Sequence, residues 1–232
     1  MGMGSTKLEL YSFVNQLHDY FSIDYDSFPI NTVGLCSRHA DIQYHFFHTN
    51  GFCAAILLGE KTDTVVLNAS RTQVEQNFDC GHEIIHMTKH RNLGIDTFSC
   101  MDMKSKRLPN TGFWEWEANE GSAQFLVPYY SLLPEIKKVQ SLLKTTWDFR
   151  SFKSDMAEKY GVTEAVINFR FESLKYEIQQ YLDGTPLNEI KIISNKQQTQ
   201  RGIKVKSLND TENEMLFSEF HIHVRDMKNI DI

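Results

Sequence analysis

The sequence contains no apolar run approaching the roughly 20 residues a helix needs to cross a bilayer, and no charged-then-apolar opening of the secretory kind. Membrane insertion and export are therefore not expected, and a cytoplasmic location is. Positive charge is in deficit: 24 Lys and Arg stand against 30 Asp and Glu, a formal net charge of −6. That balance argues against a broad surface for nucleic acid or anionic lipid. Cysteine is sparse. Cys36, Cys53, Cys80 and Cys100 show no Cys-x-x-Cys spacing, which excludes a zinc knuckle or dithiol redox motif and leaves free, mostly buried thiols as the expectation. What is present is 41% hydrophobic residues in a chain of 232, enough for a sizeable core.

The most informative stretch is Cys80-Gly81-His82-Glu83-Ile84-Ile85-His86, a His-Glu-x-x-His pattern in a segment that reads as helix. Residues four apart on a helix lie about 40° from each other and one turn apart, so His82 and His86 point the same way and can grip one metal ion. Glu83 is placed to take a proton from an activated water without being a ligand. Cys80 falls about 200° around from His82 and is expected in the core.

A catalytic zinc usually has three protein ligands and an open fourth position. A nearby Gly and third His fail as the continuation, because Lys89 and Asn92 occupy those positions. The alternative is a glutamate from a second helix over 113–126, which offers Glu115 and Glu117 about 200° apart. Trp114, Ala118, Gly121, Ser122, Phe125 and Leu126 form an arc suited to close helix packing, with Glu115 and Asn119 in or beside it. Glu117 groups with Glu120 and Gln124 on the polar side. Glu115 is therefore expected as ligand, with Asn119 orienting a histidine ring and Glu117 as the fallback.

His-Glu-x-x-His with a further His90, followed by Glu115-Trp116-Glu117-Ala118-Asn119 and the close Leu126-Val127-Pro128, resembles the ImmA/IrrE family of metallopeptidases over roughly residues 30 to 130. The resemblance implies an intracellular zinc peptidase that cuts and inactivates helix-turn-helix repressors. Two departures stand out: Cys80-Gly81 before the first histidine, and Gly121-Ser122-Ala123 where the family tends to an aromatic-Ala step. Neither falls on an expected ligand, so they bear on substrate choice more than on metal binding.

Along the chain, Leu8, Tyr11, Val14, Leu17 and Phe21 have helical spacing. Residues 28–50 are irregular, with His39, His45 and His48 expected to be packed or exposed in preference to a second metal site. Segments 53–58 and 64–67 read as a hairpin, one of whose strands could offer an edge to extended substrate. A capping box at Ser70–Gln73 is expected to start the metal helix, and Gly81 within it to permit a close approach. His90 lies two turns beyond His82, about 12 Å along the axis, outside one coordination sphere; it is a candidate substrate contact. The loop 92–112 is a candidate rim or lid, and Tyr129 and Tyr130 are candidates for stabilising an oxyanion. Residues 151–176 read as helix, Gly161 turn, helix, but Arg170 and Lys175 against Glu164, Glu172 and Glu177 leave little for phosphate, so DNA binding is not expected. After Gly184 the alternation at 190–193, 203–205 and 217–224 reads as strands, with His221 and His223 on a solvated face.

The expected architecture is α+β: a mostly helical zincin-like, gluzincin-type metallopeptidase core over 1–135 with a small sheet, a helical region with a helix-turn-helix-like segment over 136–184, and a C-terminal β appendage over 185–232. The expected function is one Zn2+ per chain, held by His82, His86 and Glu115, with Glu83 as general base, acting on a protein substrate. The rivals are a non-catalytic zinc-containing regulatory module and a DNA-binding transcription factor. A purely structural zinc would have no use for Glu83.

Overall fold

The two alternating segments at 52–57 and 63–68 do form a hairpin, and the computed structural model builds it into a larger sheet. The structure describes residues 5–24, 27–47, 51–101 and 112–228, with the side chains of 101 and 221–228 outside the description. The chain separates into two compact units, Met1–Pro128 with Glu158–Thr163, and Tyr129–Ala157 with Glu164–Ile232.

In the first unit, strands β1 (Ala40–His45), β2 (Phe52–Leu57), β3 (Asp63–Asn68) and β4 (Thr97–Met101) lie in the order β1-β3-β2-β4. β1 runs parallel to β3, while β2 is antiparallel to both β3 and β4. Ala54, Ile56, Val65 and Leu67 are fully buried, whereas Ala55, Thr64 and Val66 are half-buried, as in a sheet packed fully on one face. Helix α3 (Gln73–Lys89) packs on β2 and β3. Both hairpin strands are interior, so the edges belong to β1 and β4. The edge strands carry only short alternations: β1 is mostly exposed, and β4 buries Phe98 and Cys100 between exposed Thr97 and Ser99 within five residues.

Helix α1 (Lys7–Phe21) opens with a reciprocal capping box between Thr6 and Glu9 and buries Leu10, Tyr11, Val14 and Leu17. Leu8, expected on the inner face, is exposed, and Leu10 takes that place. A short helix α2 (Thr32–Cys36) packs against α3. Helix α4 (Gly112–Leu126) packs between α1 and α3. Its seam with α3 is built from small residues. A Cβ on Gly81 would stand 2.7 Å from Ser122 Oγ, and one on Gly121 3.0 Å from Ile85. The two family departures at 80–81 and 121–123 thus face each other across one helix contact.

The second unit holds α5 (Tyr129–Val139), most of α6 (Thr146–Tyr160), α7 (Glu164–Ser173), α8 (Lys175–Leu182), α9 (Asn195–Gln200) and α10 (Leu208–Lys228). The helix-turn-helix expected around Gly161 is α6, turn, α7. Gly161 has φ +62°, and a Cβ there would come within 2.8 Å of Pro29, so both backbone and space favour glycine. Ile167 is fully buried, and Phe152 and Phe171 stack between the two helices.

The C-terminal β appendage is not found. Residues 190–193 and 203–205 are irregular, and 217–224 lie inside α10. An isolated alternating stretch has no partner strand for its backbone groups, while a helix satisfies them internally. A start signal was present in the sequence: Ser207 and Asp210 cap each other's backbone N–H at 2.9 and 3.1 Å. His221 and His223 therefore sit on a helix, with side chains outside the described residues, as are His48 and 102–111 of the expected lid.

Candidate metal centre

α3 begins two residues later than the expected Ser70 cap. Thr72 Oγ1 accepts from the Glu75 backbone, and the Glu75 carboxylate accepts from the Thr72 backbone. One turn further, Asp79 is tied to Arg71 Nε at 2.6 Å. Burial pushes the Asp79 carboxyl up to about 6 against the pull of Arg71.

The face beyond it carries His82, Glu83 and His86, all fully buried. His82 Nε2 and His86 Nε2 are 3.0 Å apart. Glu115, from the first turn of α4, places its carboxylate oxygens 3.4 Å from His82 Nε2 and 3.5 Å from His86 Nε2. With metal–ligand distances of about 2.0–2.2 Å in a tetrahedral site, neighbouring donors stand roughly 3.3–3.6 Å apart; both contacts of Glu115 lie in that range, and the two histidine nitrogens, at 3.0 Å, need only a small separation for the three to take one ion. The protonation states fit as well. Burial lowers His86 to about 3, despite the Glu115 carboxylate, and leaves it a neutral imidazole at pH 7. Burial opposes ionisation of Glu115, yet hydrogen bonds with His82 and His86 hold it down to about 2. A neutral imidazole and an ionised carboxylate are the forms that bind a cation.

Glu83 is the anomaly of the site. Neither carboxylate oxygen has a hydrogen-bond partner among the described residues, and burial first, then the charge of Glu115, pushes its carboxyl well above the usual range. Such a group is costly to bury unless something else occupies the space beside it. The sulfur of Cys100 on β4 lies within 4.8 Å of ligand atoms of His82 and Glu83.

Around the cluster, Asn119 Oδ1 is 3.1 Å from His82 Nδ1, the pairing expected from its spacing to Glu115. Glu117 is not on a polar face. It is buried and lies 3.0 Å from His90 Nε2; burial opposes its ionisation, but that contact, with the Ser5 side chain and Lys89, lowers its carboxyl. His90, expected at the substrate, is itself buried against His86. Phe98 of β4 stacks on His86 with ring centroids 4.2 Å apart, a support the sequence does not signal because β4 falls in the stretch 92–112 that reads as loop. His39 and His45 are exposed and outside the cluster. Tyr129 and Tyr130 open α5 in the second unit, half-buried and edge to face at 5.8 Å.

A buried His-Glu-x-x-His face on a helix backed by a sheet, met by a glutamate from a second helix, is the arrangement of a metallopeptidase. The sequence profile of the IrrE N-terminal-like domain, Peptidase_M78, matches residues 30–172, more than half of the chain. The protein belongs to the ImmA/IrrE family of metallopeptidases. Comparison with curated proteins gives no match. Among the described residues, no helix is long and apolar enough to cross a membrane.

Proposed function

We propose that the protein is a zinc-dependent intracellular endopeptidase that cuts a helix-turn-helix transcriptional repressor and so relieves repression. The observation that carries this reading is Glu83: a fully buried carboxylate with no hydrogen-bond partner among the described residues, next to three donors spaced for one ion. His82, His86 and Glu115 hold the zinc, one per chain. Bound zinc polarises a carbonyl and lowers the pKa of water toward about 7. Glu83 accepts the proton of the attacking water and delivers it to the leaving amine. Asn119 accepts from His82 Nδ1, which keeps the Nε2 lone pair turned to the cluster.

The substrate reaches the site as an extended segment. β4 is an edge strand, and its Phe98 lies on His86, so a peptide added to that edge runs beside the cluster. Helix-turn-helix repressors as the substrate class rest on family membership. DNA reading by the protein's own helix-turn-helix is disfavoured, since Arg170 is fully buried and Lys175 pairs with Glu172 at 2.5 Å.

The test is co-expression with the repressor encoded beside the gene, with repressor length followed by mass spectrometry. Cleavage by the wild type and none by Glu83→Gln, with zinc retained in both, is the expected result. Equal cleavage by both removes Glu83 from the chemistry, and full zinc content in a His82→Ala, His86→Ala variant removes the site. If neither protein cuts but both hold zinc and bind the repressor, the non-catalytic module is the better reading.

A further inference from the structure

His82 is oriented by one side chain, Asn119. His86 has a longer line of support. Its Nδ1 lies 2.8 Å from His90 Nδ1, His90 Nε2 lies 3.0 Å from Glu117 Oε2, and both rings of this line are buried. The far oxygen of Glu117 takes the Ser5 backbone N–H at 3.3 Å and lies 3.5 Å from Lys89 Nζ, which in turn donates to Ser5 Oγ at 2.7 Å.

With His90 a neutral imidazole, proton bookkeeping along this line leaves one arrangement. Held by a backbone N–H and an ammonium, Glu117 is an acceptor, so the proton on the contact with His90 sits on Nε2. His90 Nδ1 is then a lone pair. Its 2.8 Å contact with His86 needs one proton, which only His86 Nδ1 can supply. That fixes His86 as the Nδ1–H tautomer, with its Nε2 lone pair directed at Glu115 and His82. Left alone, a histidine side chain favours the opposite tautomer, whose Nε2–H would block the metal position.

We infer that His90 and Glu117 are positioning residues for His86, a carboxylate–imidazole–imidazole relay that keeps His86 in its ligating tautomer. The relay rests on the proposed function for the identity of the ion and adds two residues to the machinery that holds it. Helical spacing explains the reach: His90 is one turn beyond His86 and caps the end of α3, where its ring meets Glu117 of α4. A direct partner of a ligating histidine typically sets 10- to 100-fold in metal affinity.

The experiment is zinc competition against a chromophoric chelator on the purified full chain, for wild type, His90→Leu, His90→Asn, Glu117→Gln and His82→Ala. His90→Leu is expected to weaken binding about 10- to 100-fold. His90→Asn, whose Oδ1 takes the place of the ring Nδ1 and still accepts from His86, should stay within about threefold of wild type, and Glu117→Gln should fall between. The visible spectrum of the cobalt(II) form should change in His90→Leu and be kept in His90→Asn. A purely packing role gives the reverse order, because Leu fills a buried site better than Asn. Wild-type affinity in His90→Leu, or tighter binding there than in His90→Asn, overturns the relay. Near-ultraviolet dichroism of the metal-free variants checks folding; if His90→Leu does not fold, unchanged affinity in Glu117→Gln overturns it instead. Wild-type affinity in His82→Ala is a different outcome, which overturns the zinc site itself.

Discussion

Replacing Glu83 by Gln should shift the stability of the metal-free protein increasingly in the variant's favour as pH rises. The Glu83 carboxyl is fully buried and raised well above its ordinary value of 4.5, chiefly by burial. Below that value the carboxyl is protonated whether the chain is folded or not, and the folded state pays nothing. Above it the unfolded chain ionises while the folded one resists, so stability falls as pH rises toward the folded value. Each pH unit in this range costs about 1.4 kcal/mol, so at pH 7 the cost cannot exceed about 3.4 kcal/mol. Gln has similar shape and no titration. Its own unpaired amide costs about 1–3 kcal/mol, but equally at every pH. Between pH 5 and 7 the gap between variant and wild type should therefore widen by up to about 2.7 kcal/mol, or about 5–10 °C in Tm for a chain of this size. The assay is calorimetric unfolding in chelator at pH 5, 6 and 7. Parallel Tm curves would refute the claim that Glu83 is held in a site hostile to its charge. Added zinc should narrow the gap, since a cation beside Glu83 favours its ionised form.

Glu115→Gln should weaken zinc binding more than Glu117→Gln, because only Glu115 faces both histidine Nε2 atoms; the opposite order in chelator competition would move the ligand role to Glu117. Arg71→Leu should strand the buried Asp79, whose carboxyl already stands at about 6, and cost about 3 kcal/mol in urea unfolding at pH 8 but much less at pH 4, where Asp79 is largely protonated in the folded state. Gly81→Ala should destabilise by about 1–3 kcal/mol, as its Cβ would meet Ser122 Oγ at 2.7 Å, and adding Ser122→Ala should recover part of that loss, since the next atoms stand at 3.5 and 3.6 Å. Additive effects of the two changes would show that the seam does not couple them.

Local signals carried well from sequence to structure. The hairpin, the turn glycine at 161 and the shared face of His82 and His86 all follow from periods of 2 and 3.6 and from backbone constraints within a few residues. The failures share a cause, which is that the deciding partner is far along the chain. β1 pairs with β3 through backbone bonds that ask nothing apolar of Tyr44 or His45, and both side chains are exposed. The alternation at 217–224 mimics a strand, but no neighbouring strand exists among the described residues to pair with it, and the helix started by Ser207 and Asp210 runs through it.

Helix α4 shows the same limit most sharply. Read alone, Glu117, Glu120 and Gln124 define a polar side, yet all three are buried. Because α4 packs between α1 and α3, it has no free face through its middle, and its polar residues are the joints of the site: Glu115 meets His82 and His86, Glu117 meets His90, Asn119 meets His82, and Glu120 accepts from Tyr11 of α1. Residues 115 and 119 lie about 40° apart and 117 about 200° from 115, so one helix reaches the candidate metal cluster from one flank and His90 from the other. Polarity at those positions marks buried pairing, not solvent. Among the described residues, the one carboxylate in this helix pair with neither oxygen hydrogen-bonded is Glu83, and a buried carboxylate left unpaired is the kind of exception that the proposed general base would be.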